Sequence, residues 1–190
     1  MTATIHTLKQ PAKQTLRLRI ELADVEPLVW REICVPDTIT LSKLHSTILY
    51  GMGWEGGHIH EFEFGDLRYG RQEPGWEYER VKSETRVTLK KALAGGNQFS
   101  YIYDLGDHWE HRIQVMPADA DLKLPVCIAG ENACPPEDVG GAWAYMDFIA
   151  AITDPSHEDH GNMLEWCGGE FDPSDFDLGA TNELLAEIKL

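Results

Sequence analysis

The chain has 190 residues, 43% of them hydrophobic and 25% charged, with a formal net charge of −16, which is the size and make-up of one globular domain able to bury a full core. No stretch approaches the roughly 18 uninterrupted apolar residues of a membrane helix, and Met1 to Gln14 has no signal-peptide core, so a cytoplasmic protein is expected, with residues 1–14 disordered and 15–190 as a single domain. The acidity is uneven: residues 116–190 hold 2 Lys and Arg against 16 Asp and Glu, so this half repels phosphate backbones, and a basic protein partner suits it better than nucleic acid.

Residues 15–22 alternate, with Leu16, Leu18, Ile20 and Leu22 against Arg17, Arg19 and Glu21, the signature of a half-buried strand. Pro27 interrupts, and Leu28 to Val35 resumes as the hairpin partner. Trp30 and Arg31 fall here, read either as a surface cation stacked on an aromatic or as an anion contact. From Thr40 the period changes: Leu41, Leu44, Ile48, Leu49 and Met52 are helically spaced, Thr40 is placed to cap the start, and Gly51 and Gly53 to end it. His45 lies beside that apolar face and reads as a hydrogen-bonded core residue.

The segment His58-Ile59-His60-Glu61-Phe62-Glu63-Phe64 has strand periodicity, which places His58 and His60 on one face with Phe62 and Phe64. Two imidazoles two residues apart on a strand can converge on one metal ion, or can be a hydrogen-bonded pair near a sheet edge. Residues 66–86 read as an excursion in which Trp76 and Tyr78 form a lid. Thr88 to Ala94 is a short helix closed by Gly95-Gly96.

Phe99 to Val115 is a β-hairpin. Phe99, Tyr101 and Tyr103 share one face, Asp104-Leu105-Gly106-Asp107 supplies the turn, and Trp109, His111, Ile113 and Val115 continue the face on the return strand. His111 is thus a polar ring among apolar neighbours and must find a partner. After Met116 the Gly- and Pro-rich run from Cys127 to Gly141 reads as an irregular loop leading into a helix through Ile149, with Ala142, Tyr145, Met146 and Ile149 on one face. Glu137 and Asp138 then fall at the helix N-terminus, as caps or as ionised groups open to a cation. Ser156 and Asp159 resemble a capping box for a second helix, and a third follows Asp172-Pro173. The expected fold is α+β, a single domain with a mixed or antiparallel sheet built on hairpins, one helix after the second strand and about three C-terminal helices packed on the sheet.

Four cysteines in such a chain read as thiols or metal ligands. Cys127 and Cys134 are close in sequence, but the gap between them exceeds zinc-knuckle spacing. Phosphate-loop, dinucleotide, nucleophile-elbow and His-Glu-x-x-His patterns are absent, which weighs against the enzymes that use them. Three readings remain open. The leading one is an interaction module in which Asp104 and Asp107 fix the turn, the histidines are satisfied by backbone, and the acidic helices meet a basic partner. The second is a divalent transition-metal site, zinc by default, drawn from His58, His60, His111, Cys127 and Cys134 with a nearby carboxylate. The third is a ligand pocket lined by Trp30, Arg31, Tyr101, Tyr103, Asp104, Asp107, Trp109, Glu137 and Asp138.

Taken in order, Pro27-Leu28-Val29-Trp30-Arg31, Gly57-His58-Ile59-His60-Glu61-Phe62, Tyr103-Asp104-Leu105-Gly106-Asp107-His108-Trp109-Glu110-His111 and Cys134-Pro135-Pro136-Glu137-Asp138-Val139-Gly140-Gly141 resemble the plasmid pRiA4b ORF-3-like family. The resemblance implies a compact α+β domain and little about activity. Some members are labelled insertion-element passengers or resolvase-like, yet this chain has no Ser-centred recombinase pattern and no basic DNA-reading helix. Leu105 and Ala144 stand where the family usually has Phe and Gly.

Overall fold

A computed structural model describes residues 14–72, 81–118 and 122–190. Trp76 and Tyr78, expected to form a lid, and all of the expected disordered segment except Gln14, lie outside these described residues. Strands β1 (Thr15–Leu22) and β2 (Trp30–Pro36) form the expected hairpin, with Leu18 opposite Ile33 and Leu16 opposite Val35. Helix α1 (Leu41–Met52) buries Leu41, Leu44, Ile48 and Met52. It ends at Gly53 in the left-handed region, φ 99°, whose N–H bonds the Leu49 carbonyl. Gly51 is not an end but an interior residue, because a Cβ there would run into the Ile33 side chain. Thr40 occupies the N-cap without a side-chain bond and instead bridges to Thr88.

The chain continues through β3 (His60–Phe64), β4 (Leu67–Gly70), β5 (Val81–Ser83), α2 (Leu89–Leu93), β6 (Gln98–Tyr103), β7 (Trp109–Ala118), β8 (Val126–Glu131), α3 (Gly141–Thr153), α4 (His160–Trp166) and α5 (Leu178–Leu185). Eight strands make one sheet in the order β5-β4-β3-β6-β7-β1-β2-β8. Every pairing is antiparallel except β4 with β5. The architecture is therefore the expected α+β domain, with a mostly antiparallel sheet.

Three strands correct the reading of loops. β4 and β5 extend the sheet inside the expected excursion, and β8 occupies the start of the expected irregular run at Cys127. β8 pairs with β2 and covers the hydrogen-bonding edge that β2 would otherwise leave open. A bulge between Glu32 and Ile33 absorbs the register change. Helix α4 begins later than the capping box implies, since Asp154 Oδ1 takes both the N–H and the hydroxyl of Ser156 and α4 starts at His160. Asp177 caps α5 by accepting from Gly179 and Ala180.

The core joins the inner face of the sheet, α1 and the C-terminal helices. Leu18, Ile20, Phe62, Tyr101, Trp109, Ile113, Tyr145 and Phe148 are buried in it. The opposite face of β1, β6 and β7 carries Arg19, Glu21, Ser100, Glu110 and Arg112 around an open groove of about 710 Å³, the one-sided burial usual for antiparallel sheets. Among the described residues, no helix is long and apolar enough to cross a membrane.

Candidate metal centre

Three loops meet at one end of the sheet: residues 53–59 before β3, the β6–β7 turn, and residues 132–140 after β8. The turn is held by Asp104, whose Oδ1 accepts the N–H groups of Gly106 and Asp107 at 2.8 and 3.3 Å. Its own N–H bonds the Ile59 carbonyl at 2.9 Å, which fixes the first loop against the turn. Asp104 and His108 both have positive φ, 54° and 57°, a conformation in which Asp and His are among the better tolerated side chains. The Asx-turn role expected for Asp104 is therefore present, and it uses one carboxylate oxygen only.

The third loop is fastened by two acids. Asp107 Oδ2 accepts from the N–H of Gly140, the N-cap of α3, at 3.0 Å. Gly141 follows at φ 82°, pressed so closely on the Asp107 carbonyl that a Cβ would overlap it. Glu137 points the other way. Its Oε1 accepts the Tyr103 hydroxyl at 2.6 Å and the Gly56 N–H at 3.2 Å, and its Oε2 accepts the Glu55 N–H at 3.2 Å. Asp107 thus anchors the N-cap residue of α3, which carries no side-chain cap, and the caps expected from sequence, Glu137 and Asp138, make other contacts. Burial, and then the bond to Glu137, raise the Tyr103 pKa well above its ordinary value, so the phenol remains the donor.

His58 stands where these loops converge. Gly56 and Gly57, at φ 92° and 127°, turn the chain ahead of it, and its ring meets Tyr103 edge-on at 5.7 Å. Nδ1 lies 3.2 Å from Asp104 Oδ2, and Nε2 lies 3.4 Å from Asp138 Oδ1. One donor atom from each of His58, Asp104 and Asp138 falls within 4.8 Å of the others, the one such grouping of His, Cys, Asp and Glu among the described residues. The Asp104 side chain is 15% exposed, His58 33% and Asp138 73%, so the group opens to solvent on the Asp138 side. Beside it lies a cleft of about 470 Å³ lined by Trp54, Cys134, Pro135, Pro136 and Glu137.

The five metal donors expected from sequence are not brought together. His58 precedes β3 instead of sharing its face with His60, because ladder pairing begins at His60 opposite Tyr103 and the glycine turn breaks the alternation. His60 is buried, bonds Glu84 at 2.8 Å and stacks on His45 with ring centroids 3.5 Å apart. His45 shares a 2.7 Å hydrogen bond with the Tyr101 hydroxyl, the core role expected of it. His111 is fully buried; its Nδ1 donates to the carbonyls of Trp109 and Tyr101 at 3.0 and 3.2 Å, while Nε2 has no hydrogen-bond partner among the described residues. Desolvation lowers its pKa to about 4, which keeps the ring neutral. Cys127 lies in β8 and its thiol donates to the Ala129 carbonyl. Burial raises the pKa of both Cys127 and Cys134.

The expected pocket also divides. Tyr103, Asp104, Asp107, Glu137 and Asp138 gather at the three loops. Tyr101 and Trp109 are core residues. Trp30 lies on the outer face beneath the Arg19 guanidinium, 3.6 Å from its ring centroid. Arg31 is neither a surface cation nor an anion contact: it is 3% exposed and donates to the carbonyls of Gly51, Trp30, Glu131 and Asn132 at 2.8 to 3.0 Å. The alternation of β2 turns it inward, under α1.

Two residues that the sequence reading passed over belong to this end of the molecule. Trp54 is buried against Tyr103 and Trp109 and donates to the Pro135 carbonyl, closing the floor of the cleft. Trp143, in the first turn of α3, is 88% exposed. Its signal was available, since it falls off the apolar face set by Tyr145 and Met146.

A family model described as plasmid pRiA4b ORF-3-like protein matches residues 14–180. An uncharacterized protein, y4hQ, from Sinorhizobium fredii (strain NBRC 101917 / NGR234) is 41% identical over 172 residues, spanning 88% of this chain and 86% of the relative. The crystal structure of a protein of unknown function, MM3350 from Methanosarcina mazei Go1, is similar with a TM-score of 0.79 at 27% identity, covering 95% of this chain and all of that one.

Proposed function

We propose that this chain, which belongs to the plasmid pRiA4b ORF-3-like family, binds one divalent transition-metal ion through His58, Asp104 and Asp138. The observation that carries this reading is the convergence of one imidazole and two carboxylates, from three separate loops, within 4.8 Å. Metal–ligand bonds of about 2.0–2.2 Å set neighbouring ligand atoms roughly 3 to 4 Å apart, so donors already within 4.8 Å of one another need only a small side-chain adjustment to close on an ion; the 3.2 and 3.4 Å separations are made by different His58 nitrogens, of which a single ion takes one. One nitrogen and two oxygens suit zinc or manganese better than a thiol-seeking ion. Asp104 is anchored by its turn, while Asp138 is the exposed member and leaves coordination positions open to water or a ligand. An ion held in this way polarises a bound carbonyl or acidifies a bound water.

The test is calorimetric titration of the chelator-stripped chain with zinc and with manganese. One equivalent is expected to bind, with affinity reduced at least about tenfold by His58→Ala and by Asp104→Asn and unchanged by Cys127→Ser. No uptake by the folded chain, or uptake abolished by Cys127→Ser but not by His58→Ala, overturns the reading.

A second reading concerns a different surface. The 16 acidic and 2 basic residues of positions 116–190 support an interaction module whose acidic helical layer meets a basic partner.

A further inference from the structure

We propose that the exposed face of α3 is the contact point for that basic partner, and that the Trp143 ring receives an arginine or lysine side chain beside the Asp147 carboxylate. The proposal rests on the second reading above and adds its location and chemistry.

Among the described residues, the other tryptophans are packed: Trp30 lies beneath the Arg19 guanidinium. Trp54 and Trp109 are in the core, and Trp166, though 47% exposed, packs edge-on against Phe148 with centroids 5.7 Å apart. Trp143 is the departure. At 88% exposure, it has neither a ring contact nor a hydrogen bond to its indole N–H among the described residues. A large ring left in water contributes little to folding, and tryptophan is enriched at interfaces.

What surrounds it selects the occupant. Positions 143, 147 and 150 follow helical spacing within α3 and are exposed, so Trp143 shares one face with Asp147 and Ala150, and the exposed C-cap Asp154 adds charge at the far end of the helix. From residue 138 to the end the chain has 12 acidic residues and a single basic one, Lys189. An indole face attracts a cation through its quadrupole, arginine above all, and the Asp147 carboxylate one helical turn on attracts the same cation by charge. An apolar or acidic partner would leave those carboxylates unpaired or repelled, so the surface fits a basic segment of another protein.

The test uses the full chain and two probes, octa-arginine and octa-glutamate peptides, followed by tryptophan fluorescence and calorimetry at about 50 and 150 mM salt. Octa-arginine is expected to bind and octa-glutamate not. Trp143→Ala, a surface change checked by circular dichroism, is expected to weaken octa-arginine binding about three- to thirtyfold. Asp147→Asn with Asp154→Asn is expected to weaken it further and to flatten its salt dependence. If the wild-type chain shows no preference for octa-arginine, the acidic-layer reading falls and the proposal with it. If octa-arginine binds the wild-type and Trp143→Ala chains equally, charge alone is at work and the proposal falls while the reading stands. Concentration-dependent self-association that buries Trp143 without peptide makes a second copy the occupant and also overturns it.

Discussion

The Tyr103 hydroxyl donates to Glu137 Oε1 at 2.6 Å, and this bond ties the end of β6 to the loop that carries Asp138. The same carboxylate holds the N–H groups of Glu55 and Gly56, just ahead of His58. Glu137 therefore sets the distance between two of the three residues proposed to hold the ion without being one of them. Tyr103→Phe removes one charge-assisted bond and leaves the two backbone donors in place, so a loss of about 1–3 kcal/mol is expected by urea denaturation. Glu137→Gln keeps the shape but puts an NH2 group where one accepting oxygen stood, so the bonds to the remaining oxygen lose their charge and those on the other side are lost. In both variants metal affinity falls without loss of stoichiometry, because the ligands are present but less well positioned.

Arg31 is expected to tolerate no replacement. Its buried charge is balanced by four carbonyl oxygens and by the face of Phe176, 4.1 Å from the guanidinium carbon, and among the described residues no carboxylate bonds it. Lysine keeps the charge but lacks the planar fork and cannot reach all four acceptors. Arg31→Lys should cost about 2–4 kcal/mol through carbonyls left unsatisfied at the ends of α1 and β8, and should leave octa-arginine binding at Trp143 intact. A variant with an unchanged urea midpoint contradicts this account.

Acid sensitivity follows from His111. Its folded pKa is about 4, against about 6.5 for an unfolded histidine. Between those values the unfolded chain holds a proton that the folded chain refuses, so stability rises with pH across this window and is lost on acidification. From pH 7 to pH 5 this group alone contributes a loss of about 2 kcal/mol. His45, lowered to about 3 by burial and by the charge of His60, acts in the same direction. His111→Asn, which retains an N–H near the Trp109 carbonyl, should be less stable at pH 7 but show a shallower fall in urea midpoint between pH 7 and pH 5. An identical fall in both proteins removes His111 from the cause.

Some of this was set by local sequence. Alternation from Leu16 to Leu22 and across Phe99 to Val115 names the inner face of the sheet, because residues two apart on a strand share a side whatever the rest of the chain does. Thr88 and Asp104 make the local bonds their side chains favour. The family, too, was legible in short ordered motifs.

The grouping of donors was not. Strand periodicity paired His58 with His60, yet tertiary pairing starts the strand at His60 and sends the two rings to different neighbours, Asp104 and Asp138 for one, Glu84 and His45 for the other. Arg31 read from sequence as a surface cation stacked on an aromatic or as an anion contact, until β8 closed over the β2 edge and the carbonyls of Glu131 and Asn132 joined those of Trp30 and Gly51 around it. Periodicity says which side of an element a residue occupies; which loops then meet depends on strand order and on what covers the sheet, and neither is encoded within a window of a few residues. Residues 58, 104 and 138 become neighbours only because β3 and β6 pair, β8 lies at the β2 edge, and Glu137 and Asp107 pin the loop between them.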